Sequence, residues 1–264
     1  MWKIAGASVT GTRHQAAGQP GQDASAWLAD GNLTCLAVAD GAGSRPLSGQ
    51  GSALAVQSAL TAAAAQAGRP DPGGPQAWLR AAFARAREDI DRLARDQGRP
   101  AGDYATTLGV VILTEDLVCV GQVGDTIVVV RRDGAFETVA PDQQPEYVNE
   151  TSFVTGPGAL EAARMTVLPA AGVNAVFLST DGLRFKILGD LFTAAPFSPF
   201  FDDLSAYLHG PGATGEAIGQ FLAGLTDDQS GDDKTLVAAV RTLTAAPAGP
   251  GTPGAVAVRA EVGR

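Results

Sequence analysis

Several aspartates in this chain stand where a strand-like run begins or ends. Asp40 closes the apolar run 36–39, and Asp181 follows the run 176–180. Asp125 sits between two apolar stretches, and Asp232-Asp233 come just before the run 235–240. Asp23 joins them from a polar, Gly-bearing segment. A carboxylate at the lip of a buried strand is held rigidly, and several converging on one place repel one another unless cations neutralise them. Hard cations such as Mg²⁺ and Mn²⁺ take oxygen ligands, often one or two carboxylates with waters completing an octahedron. Gly41 and Gly182, each directly after an aspartate, let the chain turn sharply and let a backbone carbonyl approach an ion. Spacing leaves a second reading open. Asp-Gly is a common turn dipeptide, and only convergence in space separates the two.

Other chemistries have less to build on. Cys35 and Cys119 each lie inside an apolar run, where a small buried hydrophobe is the ordinary reading. They form no disulfide framework and no zinc spacing. The chain has two histidines, His14 and His209, so a cysteine nucleophile has few bases to draw on. A formal net charge of −9 argues against a nucleic-acid partner, because phosphate backbones attract basic surfaces. No stretch reaches the roughly 18 consecutive apolar residues of a membrane span, and the first residues lack a signal-peptide pattern. The expectation is a cytoplasmic protein without a membrane partner.

The positioning elements follow from periodicity. At 264 residues, 45% apolar and 18% charged, the chain can bury one large core. Runs 24–29 and 33–39 read as strands around an Asp-Gly-Asn turn. Residues 52–66 and 75–97 read as helices, the second with Trp78, Leu79, Ala82, Phe83, Ala86, Ile90 and Leu93 on one face. The period then switches to strands at 106–113, 117–123 and 126–131. Residues 141–158 form a long polar loop of a kind often used functionally. Strands at 165–168 and 175–179, a mostly helical stretch 190–225 broken by Pro196, Pro199 and 209–212, and a strand at 235–240 complete the order. This succession argues for one α+β domain with layers of sheet and helix. The division expected is a domain over 1–243 and a loosely ordered Pro/Gly/Ala-rich tail over 244–264.

Taken in order, the motifs carry a resemblance. Gln22-Asp23-Ala24, Ala39-Asp40-Gly41-Ala42-Gly43-Ser44, Thr106-Thr107-Leu108, Gln122-Val123-Gly124-Asp125-Thr126, Ser179-Thr180-Asp181-Gly182-Leu183 and Asp232-Asp233-Lys234-Thr235 together resemble the metal-dependent protein serine/threonine phosphatases of type 2C, the PPM family. The likeness is greatest to their bacterial branch, whose second motif reads Asp-Gly-Ala-Gly-Ser. It runs in the family's order from about residue 6 to 241.

The resemblance implies a four-layer α-β-β-α sandwich of two antiparallel sheets flanked by helices, with metals at one end. It implies two tightly bound Mn²⁺ or Mg²⁺ ions, and a third in some members. Asp40 resembles the carboxylate bridging the two ions, the Gly41 carbonyl a backbone ligand, and Asp181 and Asp232 the remaining ligands of the first ion. Asp125 resembles a ligand of the third, and Asp23 the aspartate of the family's Glu-Asp pair, with Gln22 in place of the glutamate. Asp233 stands where many members have asparagine. Two further departures concern the phosphate. Ala42 replaces a histidine that protonates the leaving group, and Gly18 replaces a phosphate-holding arginine. Arg13 and His14 are displaced candidates for these tasks, and Arg45 is another phosphate candidate. Glu146, Tyr147 and Asn149, in the loop where the family carries its variable flap, are expected to select substrate. The implied activity is hydrolysis of phosphoserine and phosphothreonine by a metal-bridging hydroxide. Its substrate would be a phosphorylated protein supplied by a cognate serine/threonine kinase. The alternative is a pseudophosphatase that keeps the fold as a binding or regulatory module, to which Gln22 and Ala42 lend support.

Overall fold

The structure, a computed structural model, describes residues 1–66, 73–139, 151–225, 229–242 and 259–262. The chain opens with β1 (Trp2–Val9), α1 (Thr12–Ala16), β2 (Ala24–Asp30) and β3 (Leu33–Ala39). Two long helices follow, α2 (Ser48–Gln66) and α3 (Gly74–Asp96). Next come β4 (Leu108–Leu113), β5 (Leu117–Val123), β6 (Ile127–Arg132) and β7 (Ala135–Thr138). Then β8 (Arg164–Pro169) and β9 (Val173–Ser179) lead to α4 (Arg184–Ile187) and a small hairpin, β10 (Leu188–Asp190) and β11 (Ala195–Pro196). The described elements end with α5 (Ser198–His209), α6 (Gly215–Gly224), β12 (Lys234–Arg241) and β13 (Arg259–Val262).

The strands form two antiparallel sheets, ordered β1-β12-β9-β6-β7 and β13-β2-β3-β4-β5-β8. Helices α2 and α3 cover the outer face of the second sheet, and α5 and α6 cover the first. This is the four-layer sandwich expected. The nearly unbroken apolar runs have a plain cause, since successive side chains leave a strand on opposite faces and both faces are buried here. In β3, Cys35, Ala37 and Ala39 pack under α2 and α3, while Leu36 and Val38 enter the core between the sheets. In β12, Leu236, Ala238 and Val240 face α5 and α6, and Val237 and Ala239 face inward.

The register brings the site residues together. Ala24 pairs with Ala39, Val38 with Gly109, and Leu108 with Val123. The start of β2, end of β3, start of β4 and end of β5 therefore share one end of their sheet. In the other sheet Ser179 pairs with both Ile127 and Leu236, and Val9 with Lys234. At this end the chain crosses between the sheets three times: from β1 through α1 to β2, from β5 through Gly124-Asp125 to β6, and from β7 to β8.

Some elements depart from expectation. The stretch 190–225, read as mostly helical, begins instead as the β10–β11 hairpin, with Ala194 at φ +54° in its turn. Pro199 does not interrupt a helix but sits in the first turn of α5, where a missing N–H costs nothing. In the stretch read as a loosely ordered tail, Arg259–Val262 pair with β2 as β13.

Candidate active site

At this shared end lies a cleft of about 290 Å³ lined by Arg13, His14, Asp40, Gly41, Ala42, Gly43, Thr107, Asp125, Thr151, Phe153, Asp181 and Asp232. Asp40 is fixed through its backbone. Its N–H donates to Thr107 Oγ1 (2.9 Å), and its carbonyl accepts from the Thr107 N–H (2.9 Å) and from Thr106 Oγ1 (3.0 Å). A Cβ on Gly182 would come within 1.9 Å of the Asp233 carbonyl oxygen, so only glycine lets the Asp181 and Asp232 loops close on each other.

Asp23 lies beneath the cleft, 1% exposed. Its Oδ2 accepts from Thr180 Oγ1 at 2.7 Å, while Oδ1 and the neighbouring Gln22 Oε1 are buried without a hydrogen-bond partner. Burial pushes Asp23 up to about 8, helped by the charge of Asp233. Asp40 is held well above the usual carboxylate range by burial and then by Asp23, Asp181, Asp232 and Asp125. Asp181 rises to about 6 through burial and the charges of Asp125 and Asp232, with Arg184 opposing. A set of mutually repelling oxygens, with a buried acceptor left unpaired, fits hard divalent cations.

These shifts have a consequence for stability. A folded-state value raised above the ordinary 3.8 contributes stability that is full below the ordinary value and lost as pH rises through the raised one. With a chelator present, Tm should fall between pH 5 and pH 8.5 by roughly 6–12 °C, taking about 2–4 °C per kcal/mol for a chain of this size. Saturating Mn²⁺ should remove most of that fall. A chelated Tm that is flat or rising across the window would show that the carboxylates do not strain one another.

The ligand atoms of His14, Asp232 and Asp233 also lie within 4.8 Å of one another. That trio does not read as a cation cage, because Asp233 is already engaged. Its Oδ1 accepts from Gly11 N–H (2.7 Å) and His14 Nδ1 (2.9 Å), and its Oδ2 from Gln22 N–H (2.6 Å). Asp232 has one oxygen on the Asp233 N–H at 2.9 Å and lines the cleft with Asp40, Asp125 and Asp181.

The sequence profile of the protein phosphatase 2C family matches residues 10–223. The chain belongs to the protein phosphatase 2C family. Among curated relatives, it is similar to serine/threonine-protein phosphatase 3 of Escherichia coli (strain K12), with 30% identity over 250 residues, covering 90% of this chain and 98% of that one. Solved structures agree on the fold. A bacterial serine phosphatase superposes with a TM-score of 0.66 at 15% identity, covering 91% of this chain and 98% of that one. Stp1 of Staphylococcus aureus superposes at 0.62 and 17% identity, covering 92% and 96%. The Mycobacterium tuberculosis phosphatase PstP/Ppp superposes at 0.59 and 18% identity, covering 90% and 98%.

Within this phosphatase 2C fold, the structure brings Arg13, His14, Asp40, Gly41, Asp125, Asp181 and Asp232 to one cleft, with Asp23 directly below. Arg45 does not line the cleft; it is exposed in the loop before α2. Glu146, Tyr147 and Asn149 lie outside the described residues. Sequence reasoning missed Asp233 as the group that holds His14, and missed Thr151 and Phe153 as cleft residues. Asp233 carried a signal, a carboxylate where the family commonly has an amide. For Thr151 and Phe153 the only signal was their place at the end of the long loop.

Proposed function

We propose that this family member is a metal-dependent phosphatase that hydrolyses phosphoserine and phosphothreonine in proteins phosphorylated by a serine/threonine kinase. The convergence of Asp40, Asp125, Asp181 and Asp232 on one cleft carries the reading. Asp40, the Gly41 carbonyl, Asp181 and Asp232 would hold two Mn²⁺ or Mg²⁺ ions, and Asp125 would contribute to a third. When bound, such ions activate water for attack on phosphorus and neutralise charge on the transferring oxygens.

The chain's own residues supply the rest. Asp23, held by Thr180, lies directly below Asp40, and a cation bound above it would favour its charged form. His14 takes the task of the histidine that Ala42 replaces. Its Nδ1–H donates to Asp233, so Nε2 is the ring nitrogen left for a substrate, and a carboxylate partner fixes both tautomer and orientation. In the imidazolium form, with Nδ1–H held by the Asp233 carboxylate, the Nε2 proton can pass to the leaving oxygen and leave a neutral ring behind. Arg13, exposed at the rim in the same helix, is suited to the phosphate oxygens, which a planar guanidinium meets in pairs. The N–H of Arg13 donates to the Gly231 carbonyl at 2.9 Å, which ties α1 to the Asp232 loop.

The deciding experiment is turnover of a phosphothreonine peptide with Mn²⁺, with Mg²⁺ and after chelation. Activity with either ion and none after chelation is expected. No turnover with either ion would overturn the reading. Asp125→Ala tests the weaker ion site. The variant should fold, keep its two tight ions and turn over more slowly, most visibly at low Mn²⁺. Superimposable Mn²⁺ titrations for variant and wild type would make Asp125 a plain turn residue.

A further inference from the structure

Arg87 stands on α3, in the outer layer, yet its hydrogen bonds lead to the cleft wall. Its Nη1 donates to the carbonyls of Val154 (3.0 Å) and Gly156 (2.8 Å), and its Nε to Asp91 (3.0 Å). The two carbonyls belong to a short strap, residues 151–156. The strap turns on a bond from the Gly156 N–H to the Phe153 carbonyl (2.8 Å). Its other side is fixed from the site. The Val154 N–H donates to the Thr106 carbonyl (2.8 Å), and Thr151 Oγ1 donates to Asp125 Oδ2 (3.3 Å). The Val154 side chain is fully buried in the core beneath α3.

The outcome is that Phe153, part-buried and lining the cleft, cannot swing away. Its backbone is pinned between α3 on one side and Thr106, the neighbour of the Asp40 clasp, on the other. A phosphate group entering among the aspartates brings its peptide with it, and the aromatic ring is an apolar wall within the same cleft. Rigid aromatic surface of this kind gives contact area at little entropic cost.

We infer that Arg87 is a positioning residue for substrate selection, holding the strap so that Phe153 supports the peptide flanking the phosphorylated side chain. This rests on the phosphatase reading above. A small ester such as p-nitrophenyl phosphate has no flanking peptide, so it does not need the clamp.

The test measures binding and turnover separately. Binding uses a fluorescent peptide carrying the non-hydrolysable phosphonate analogue of phosphoserine, with Mn²⁺ present. Arg87→Ala should weaken its Kd by about 5–30-fold, the loss of one well-made contact. The variant should raise KM for a phosphopeptide by a similar factor. Its kcat/KM for p-nitrophenyl phosphate and its Mn²⁺ requirement should stay within about two-fold. Arg87→Lys, which can still donate to both carbonyls, should recover most of the affinity. Phe153→Ala should reproduce the loss of peptide affinity, and the double variant should be no worse than either single one.

Equal losses on both substrates, a changed Mn²⁺ requirement, or a lowered Tm with unchanged peptide affinity would each overturn the inference. Peptide that binds wild type but is never hydrolysed would refute the phosphatase reading, while the Kd ratio still judges the clamp. Peptide that does not bind wild type would refute both.

Discussion

Replacing Asp40 with asparagine is expected to reduce phosphothreonine-peptide turnover to less than about a tenth of the wild-type rate while leaving the fold intact. The amide matches the carboxylate in shape, and the backbone bonds that hold residue 40 to Thr106 and Thr107 do not involve its side chain. What changes is charge. Asp40 is the carboxyl that Asp23, Asp181, Asp232 and Asp125 all press upon, which places it at the centre of the cluster. A neutral group there cannot balance two dications. It also relieves repulsion, so the chelated variant should melt no lower than chelated wild type. Circular dichroism, melting with and without Mn²⁺, and steady-state turnover measure the three quantities. Retention of more than about a tenth of the rate would end the two-ion reading.

His14→Ala is expected to slow phosphopeptide turnover by about 10²–10⁴-fold, the usual worth of general acid catalysis. Hydrolysis of p-nitrophenyl phosphate should scarcely change. A serine alkoxide is a poor leaving group and needs a proton, whereas an aryl oxide departs with little help. The variant should remain folded, because Asp233 keeps its bonds from the Gly11 and Gln22 N–H groups when the imidazole is gone. Should both substrates slow alike through weaker binding, His14 holds phosphate instead. If neither changes, the proton-donor role is refuted and the Asp233 bond is purely structural. Saturating Mn²⁺ and a pH series from 6 to 9 keep these outcomes apart.

Most of the carboxylates were legible because they stand at the start or end of a run whose two faces are both buried. A strand such as β3, split between the helix layer and the inter-sheet core, cannot be mistaken for solvent-facing structure, and the first polar residue after it marks the sheet's rim. The helices α2 and α3 were legible for the same reason, one through its dense alanines and the other through its apolar stripe. Convergence was not legible from spacing. It depends on pairings such as Ser179 with both Ile127 and Leu236, which join segments far apart in the chain. Helix α1 was invisible because it is five residues long and buries none of them, so no periodic signal exists. The β10–β11 hairpin was misread because its turn rests on one side chain, Asp190, whose Oδ1 accepts from the Phe192 and Thr193 N–H groups.

The bond between His14 and Asp233 joins residues 219 positions apart, and β1 pairs along its whole length with β12. During synthesis, the first strand therefore waits until residues 234–241 have been made before its partner exists. At about 5–20 residues per second, that is an interval of tens of seconds in which β1 has an open edge. Asp23, Asp40, Asp125 and Asp181 can all have left the ribosome by then, but Asp232 and the carboxylate that steadies His14 have not. If these residues act as proposed, a nascent chain gains its complete site, and with it the activity, only once β12 has emerged to pair with β1.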